Sequence, residues 1–378
     1  MIIKKLEAKV IKDSRGEPTI EVNVNGCKAS SPSGKSKGKY ETPSWHNSVQ
    51  WNVDEINNFK FNSEINEFKD LEKIESYIKA KYNFKGAKEF GANALFALES
   101  AVLKALAISK NKELWQIVNP LAKRFPTPLG NVIGGGLHSE QFDKHPTFQE
   151  FLLAPKGNSF RDKVLNMKLV YSQIHKNFNL KNINDEGALV CPLNEEEIFK
   201  ILSNFRDKTS FGVDVASSSF YTKDELYKYQ NKELNKTAQI NFINGLIEKY
   251  SPIYVEDPLD EEDFEGFTKI NHTTMVCGDD LTVTNIERLS SAIKNKSVNA
   301  TIIKPNQNGS LLEVAEIFRI CKENNISTIL SHRSGETLDD ALGDYAFAFQ
   351  ADYIKCGIAT KYREAKLNRL IEIEKNLK

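Results

Sequence analysis

The stretch that decides the fold is residues 252–304, PIYVEDPLDEEDFEGFTKINHTTMVCGDDLTVTNIERLSSAIKNKSVNATIIK. It contains three short apolar runs, and each run ends in a chargeable residue: Glu256, Asp279 and Lys304. These residues are 23 and 25 positions apart, which is room for one strand, one helix and two loops. Such a period predicts a barrel of parallel strands, whose C-terminal ends converge on one active site.

The same pattern continues on both sides of this stretch. Upstream, FGVD ends at Asp214; downstream, TILSHR reaches His332 and Arg333, and YIK ends at Lys355. A barrel would therefore bring three carboxylates, two lysines and a His–Arg pair to one pocket. Carboxylates brought together repel one another unless a cation or a proton is present. A hard cation with oxygen ligands, Mg²⁺ above all, suits such a set.

Two domains are predicted from the order of the elements. From Leu129 onward, strand-like runs alternate with amphipathic helices, which indicates a parallel sheet with helices packed outside it. These helices are predicted at 160–177, 194–206, 236–250 and 310–324. We predict an α/β fold, with an N-terminal α+β domain at 1–125 and a β/α (TIM-like) barrel at 126–378.

The N-terminal domain has a different pattern. Apolar and polar residues alternate on both sides of a Ser-Arg-Gly-Glu-Pro turn, which is typical of a hairpin. Apolar residues then recur at helical spacing within 53–83, and a stronger helix is predicted from Ala92 to Ile108. Three prolines between 120 and 128 mark the domain boundary.

Bulk composition excludes several classes of protein. The chain has 378 residues, with 51 basic and 51 acidic side chains, so nothing favours nucleic acid or an anionic membrane as partner. The N-terminus lacks the apolar core of a signal peptide, and no stretch approaches 18 uninterrupted apolar residues. Five cysteines without paired spacing indicate free thiols. We expect a cytoplasmic protein.

Candidates for acid–base chemistry lie on and above the predicted barrel rim. Lys304 closes a β-branched run that reads as a core strand. Beside Lys355 and a divalent cation, we expect the pKa of Lys304 to be lowered, because like charges disfavour the ammonium form. A neutral amine is a competent base, and Glu186, in the loop INDEGAL, could serve as the opposing acid.

Two segments have features of anion binding. SHRSGE, residues 331–336, puts Arg333 and Ser334 at a strand end before a helix, where backbone donors and a guanidinium can hold a phosphate. PSGKSKG, residues 32–38, offers hydroxyls and backbone N–H groups but lacks the Walker A spacing. Taken alone, that loop is more typical of a flexible linker.

With these residues in place, the chain resembles the enolase family along nearly its whole length. The motifs that carry the resemblance include DSRGEPTIEV at 13–22, QEFLLAP at 149–155, GDDLTVTN at 278–285 and SHRSGET at 331–337. The resemblance implies an enolase-type β/α barrel, irregular in its first strands, capped by the smaller N-terminal domain. It also implies the reversible dehydration of 2-phospho-D-glycerate to phosphoenolpyruvate, a reaction of glycolysis.

The resemblance implies two Mg²⁺ ions. A tightly held ion would be bound by Asp214, Glu256 and Asp279. A second ion, arriving with the substrate, would be supported by Ser36.

The resemblance also implies roles in the reaction itself. Lys304 would remove the C2 proton, and Glu186 would act as the acid with help from Glu150. The implied substrate contacts are His138, Glu150, His332, Arg333, Ser334 and Lys355, with Lys355 at the substrate carboxylate.

The chain departs from the family pattern mainly in its loops. Asn184 and Ala188 replace glycines beside Glu186, Lys35 and Lys37 add charge to the serine loop, and Ser219 replaces a glutamate. These changes leave loop closure and rate open.

A further departure concerns assembly. Family members commonly dimerise through a glutamate, here Glu21, paired with an arginine in the last helix, where this chain has Glu372. Facing carboxylates repel, so we expect a weakened or rebuilt homodimer.

Two other interpretations stay open. One is another acid dehydratase or epimerase of the same superfamily, although no Lys-x-Lys ends an apolar run near 160–190 and SHRSGE favours a phosphate. The other is a non-catalytic binding protein that keeps the fold, against which the presence of Glu186, Lys304 and the metal ligands argues.

Overall fold

The computed structural model describes residues 1–35, 38–178 and 180–377. Its strands in these ranges are β1 Leu6–Lys12, β2 Pro18–Val24, β3 Cys27–Ser30, β4 Thr127–Gly134, β5 Glu150–Pro155, β6 Asn182–Ile183, β7 Leu189–Val190, β8 Thr209–Asp214, β9 Tyr227–Lys228, β10 Glu233–Leu234, β11 Tyr254–Glu256, β12 Met275–Gly278, β13 Ala300–Ile303, β14 Ser327–Ser331 and β15 Tyr353–Lys355. The α-helices are α1 Val49–Asn57, α2 Leu71–Tyr82, α3 Ala92–Ser109, α4 Leu114–Val118, α5 Phe160–Asn177, α6 Glu195–Ser203, α7 Lys236–Tyr250, α8 Phe264–Phe267, α9 Ile286–Asn295, α10 Pro305–Asn308, α11 Leu311–Glu323, α12 Ala341–Ala348 and α13 Lys361–Asn376.

The N-terminal part is a three-stranded antiparallel sheet covered by helices. β1 and β2 form the predicted hairpin, and β3 pairs with the other edge of β2. The turn between β1 and β2 is held by Asp13, whose Oδ1 accepts hydrogen bonds from the backbone N–H groups of Arg15 and Glu17. Helix α3 packs on β2 and β3. The division at residues 125/126 stays a prediction; the first barrel strand begins at Thr127.

Helix α3 is long and apolar enough, by length and composition, to cross a membrane. However, 83% of it is buried inside the protein. Its apolar side chains are therefore already covered by the N-terminal sheet and the neighbouring helices.

The segment 53–83 is less helical than its apolar spacing predicts. It contains the end of α1 and all of α2, but residues 58–67 between them form no α-helix. Ile65 is fully buried. The terminal amine of Met1 donates a hydrogen bond to the Ile65 carbonyl oxygen at 2.6 Å, and the Ile65 N–H donates one to the Met1 carbonyl oxygen at 2.8 Å. Apolar residues of a non-helical segment can therefore be buried at sequence positions whose spacing resembles that of a helix.

The barrel is closed by eight of the described strands. Their order is β4, β5, β8, β11, β12, β13, β14 and β15, and β15 pairs with β4 to complete the ring. All neighbouring pairs are parallel except those made by β5, which is antiparallel to both β4 and β8. This arrangement confirms the predicted barrel and its irregular beginning.

Strand register decides which residues meet at the rim of the barrel. Asp214 and Glu256 are the last residues of β8 and β11, and they are register partners. Because β5 runs in the opposite direction, its first residue, Glu150, lies opposite Asp214. Asp279 and Lys304 follow β12 and β13 by one residue. One antiparallel strand therefore adds a carboxylate to a rim that parallel strands build from their C-terminal ends.

Candidate active site

A cavity of about 210 Å³ lies at the C-terminal end of the barrel. The sequence-predicted site residues that line it are His138, Glu150, Glu186, Asp214, Asp279, Lys304, His332, Arg333, Ser334 and Lys355. Glu256 lies behind this lining and has no exposed surface. Ser36, together with Lys37, lies outside the described residues, so its predicted role stays a prediction.

Lys355 is the centre of a buried charge cluster. Its Nζ lies 2.9 Å from Asp214 Oδ2, 2.8 Å from Glu256 Oε2 and 3.1 Å from Glu150 Oε2. Burial by itself lowers the pKa of Lys355, but the three carboxylates outweigh it and raise that pKa well above its ordinary value. The ammonium group is therefore the counter-charge that keeps these carboxylates together.

Lys304 is paired in a similar way, with a carboxylate that the sequence argument did not consider. Its Nζ donates a hydrogen bond to Asp279 Oδ2. Burial, Arg333 and Lys355 all lower the pKa of Lys304, as the sequence argument expects, but Asp279 outweighs them and the net direction is upward. The sequence argument omitted this carboxylate, the one nearest to the amine; the lowered pKa expected beside a bound divalent cation stays a prediction.

The acidic residues suit a hard cation, although they do not form one preassembled triad. Asp214 and Glu256 contact Lys355, whereas Asp279 contacts Lys304. Asp279 Oδ1 is buried and accepts no hydrogen bond from the described part of the chain. A buried carboxylate oxygen without a donor is a group that a cation would satisfy. The residues present therefore fit a divalent metal.

Two groups of ligand atoms lie closer together than the predicted triad. His138, Glu150 and Glu186 form one, and Asp257, Asp279 and Asp280 form the other. In the second group, both oxygens of Asp257 already accept backbone N–H groups, from Asp279 at 3.0 Å and from Asp280 at 2.7 Å. Asp257 therefore fixes the turn that presents Asp279.

Sequence reasoning did not single out Asp257 and Asp280. A signal for both was present, because each directly follows a predicted metal ligand in the chain.

The predicted acid, Glu186, lies in a turn held by one of the departures from the family pattern. Asn184 Oδ1 accepts hydrogen bonds from the backbone N–H groups of Glu186 and Ala188, both at 3.0 Å. Asn184 is buried, and its side chain occupies the space beside Gly134 that a Cβ there would fill. The replacement of a glycine by Asn184 therefore comes with a hydrogen-bonded support for the loop.

Two buried histidines, His138 and His332, line the cavity. His138 Nδ1 lies 3.6 Å from Glu186 Oε2 and 3.7 Å from Glu150 Oε1. Burial lowers the pKa of His138, although Glu150, Asp185 and Asp214 act in the opposite direction. Burial and the neighbouring Arg363 and Lys355 lower the pKa of His332 much further.

The predicted phosphate contacts, Arg333 and Ser334, are hydrogen-bonded to residues of the N-terminal part. Arg333 forms a two-pronged ion pair with Glu41, at 2.9 and 3.0 Å, and both side chains are buried. Ser334 Oγ accepts hydrogen bonds from the backbone N–H of Lys35 at 2.7 Å and from Arg15 Nη1 at 3.3 Å. Residues of the N-terminal part therefore orient both predicted phosphate contacts. Glu41 was missed because no strand-end pattern marks it.

The fold and the cavity together define a class: a β/α-barrel protein whose rim carries buried carboxylates and lysines, groups able to hold a cation and to move a proton. Comparison with known proteins gives the family. The enolase N-terminal domain model matches residues 3–118, and the model of the enolase C-terminal TIM barrel domain matches residues 122–378. The chain belongs to the enolase family.

Relatives of similar length support this assignment. The chain is 35% identical to the enolase of Archaeoglobus fulgidus, covering 99% of this chain and 97% of that protein. It is 35% identical to the enolase of Ehrlichia chaffeensis, covering 99% and 96%. It is also 35% identical to the enolase of Methanosphaera stadtmanae, covering 100% and 97%.

The charge cluster predicts the behaviour of a Lys355→Met variant. Methionine keeps the length of the side chain but leaves three buried carboxylates without their counter-charge. We expect the free energy of unfolding in chelator to fall by about 3–5 kcal/mol. Mg²⁺ should then raise the melting temperature of the variant more than that of the wild type, because a bound cation supplies the missing charge.

Scanning calorimetry with chelator and with Mg²⁺ measures both effects. Lys168→Met is the matched control, since that lysine forms a partly exposed pair with Glu364 and should change little. Wild-type stability of Lys355→Met in chelator would contradict the role given to the ammonium group.

Proposed function

We propose that the chain interconverts 2-phospho-D-glycerate and phosphoenolpyruvate, with Lys304 as the base at C2 and Glu186 as the acid. As a member of the enolase family the chain is a lyase of the phosphopyruvate hydratase type. The observation that carries the proposal is that Lys304, Glu186 and the carboxylate–lysine cluster around Lys355 lie at one cavity.

The difficult step is removal of the proton at C2. The neighbouring carboxylate is already negative, so proton loss builds a second negative charge that must be stabilised by positive groups fixed beforehand. Lys355 is proposed to supply one such group, because its side chain is buried and lines the cavity, and its pKa is raised well above the ordinary value by nearby carboxylates. A Lys base with one or two Mg²⁺ ions is the known arrangement of the enolase superfamily.

Two Mg²⁺ ions are proposed as cofactors. Asp214, Glu256 and Asp279 would hold the first ion, and Ser36 would support the second at the substrate phosphate. When bound, the ions would stabilise negative charge that develops on the substrate carboxylate.

Glu186 is proposed to protonate the departing hydroxyl group. It is buried, and its Oε2 accepts no hydrogen bond from the residues that the structure describes, which leaves that atom available for a proton. Glu150 is proposed to assist. Burial raises the pKa of Glu150 despite Lys355, and the neighbouring Glu186 raises it further, so the protonated form of Glu150 is favoured.

The substrate phosphate is assigned to Arg333 and Ser334. Arg333 Nη1 and Nη2 each donate a hydrogen bond to Glu41, and the second proton of Nη1 is directed to Asn306 Oδ1. The Nε–Nη2 edge is then the one that can hold a phosphate with two hydrogen bonds. His138 and His332 are proposed as neutral pocket residues that contact the substrate.

The proposal extends to cellular context. We place the reaction in glycolysis and gluconeogenesis, and the chain in the cytoplasm. All five cysteines are free, as expected of a reducing compartment.

A coupled assay for phosphoenolpyruvate formation from 2-phosphoglycerate, with Mg²⁺ and with chelator, tests the function. Activity that requires Mg²⁺ is expected. In the Lys304→Ala variant, exchange of the C2 proton with solvent should fall below detection, because no other group is assigned to remove it. In Glu186→Gln, exchange should persist while dehydration is lost, because the acid acts after the base.

Lys269→Ala is the control, since that lysine forms an exposed pair with Glu265 far from the cavity lining. Mg²⁺ binding without activity would favour the non-catalytic interpretation, and activity only on acid sugars would favour another superfamily reaction. Persistent C2 exchange in Lys304→Ala would show that the base is a different group.

The usual family dimer is proposed to be weakened. Glu21 lies 3.1 Å from Lys9 Nζ and Glu372 lies 3.1 Å from Arg369 Nη1, so each carboxylate already contacts a cation of its own chain. Light scattering at sub-micromolar concentration should give the mass of a monomer, and Glu372→Arg should shift the mass toward a dimer. A tight dimer of the wild type at that concentration would contradict this proposal.

A further inference from the structure

Tyr254 is a buried polar residue that the proposed mechanism leaves without a role. It begins β11, two residues before Glu256, and therefore points to the same side of the strand as that residue. Its side chain has no exposed surface and belongs to the cluster that fills the barrel interior. Its hydroxyl donates a hydrogen bond to Glu256 Oε2.

The tyrosine ring occupies space that the neighbouring strand leaves open. Gly212 of β8 is the register partner of Tyr254. A Cβ on Gly212 would lie 2.6 Å from Tyr254 Cβ and 3.0 Å from the ring atom Cδ1, closer than such atoms pack. The ring is thus confined between close-packed neighbours, and its hydroxyl has a fixed position below the rim.

The hydrogen bonds of Glu256 show what this hydroxyl does. Oε2 accepts from Tyr254 and from Lys355 Nζ at 2.8 Å, whereas Oε1 accepts from Lys355 alone at 3.0 Å. Rotation of the carboxylate would break the Tyr254 hydrogen bond in the buried interior of the barrel, where an unsatisfied hydroxyl is costly. Tyr254 therefore fixes the plane of Glu256 and leaves Oε1 as the less engaged oxygen.

We propose that Tyr254 is a positioning residue for the divalent cation: it holds Glu256 in the orientation that offers Oε1 to the metal. This inference rests on the proposed function, because Glu256 is a ligand only if the rim binds Mg²⁺. Outer partners that orient metal ligands typically account for about 10- to 100-fold in metal affinity. A hydroxyl that only satisfied a core tyrosine would leave metal affinity unchanged.

Tyr254→Phe is the test, because it removes the hydroxyl and keeps the ring that fills the barrel. Calorimetric titration of Mg²⁺ into the metal-free protein should give a dissociation constant at least tenfold higher than that of the wild type. The melting temperature in chelator should stay within a few degrees. At saturating Mg²⁺, the KM for 2-phosphoglycerate should stay within about threefold, since Tyr254 does not line the cavity.

Tyr353→Phe is the matched control. Tyr353 also lies two residues before a rim residue, Lys355, and packs against the same interior cluster. Among the described residues the Tyr353 hydroxyl has no hydrogen-bond partner. The Mg²⁺ affinity of the Tyr353→Phe variant should therefore equal that of the wild type. A Tyr254→Phe affinity within twofold of the wild type overturns the inference alone. Absence of Mg²⁺ binding to the wild type overturns both the inference and the proposed metal chemistry.

Discussion

Buried negative charge at the rim of the barrel is the constraint on which the rest of the site depends. Asp214, Glu256 and Glu150 lie within 3.1 Å of one ammonium group, that of Lys355, and all four side chains are buried. Carboxylates in such surroundings are stable only when a positive charge or a proton accompanies them. The cluster is therefore suited to hold either the Lys355 ammonium or a bound cation as its positive partner.

Other parts of the fold position the charged side chains of this site. The antiparallel strand β5 delivers Glu150 to the rim, and the space beside Gly212 admits the tyrosine that orients Glu256. The N-terminal part acts on the opposite side of the cavity through the ion pair of Glu41 with Arg333. Because these contacts cross between the two parts of the chain, the geometry of the anion site depends on how those parts pack.

Periodicity and residue type predicted the barrel and its rim residues well, since a strand end is a local feature of the sequence. Helix α5 has the predicted bounds 160–177, because its apolar face and its capping Ser159 are both local. Pairings between distant residues could not be predicted this way. The direction of β5, the contact of Lys304 with Asp279 and the ion pair of Glu41 depend on tertiary packing. The enolase resemblance supplied roles for residues but not these contacts.

The most direct test of the account is a crystal structure of the protein grown with Mn²⁺ in place of Mg²⁺, with anomalous scattering used to locate the metal. The account predicts one well-occupied ion in contact with the carboxylates of Asp214, Glu256 and Asp279, with the Lys355 ammonium displaced from its present contacts. An ion bound instead by Asp257, Asp279 and Asp280, or by the group of His138, Glu150 and Glu186, would contradict it.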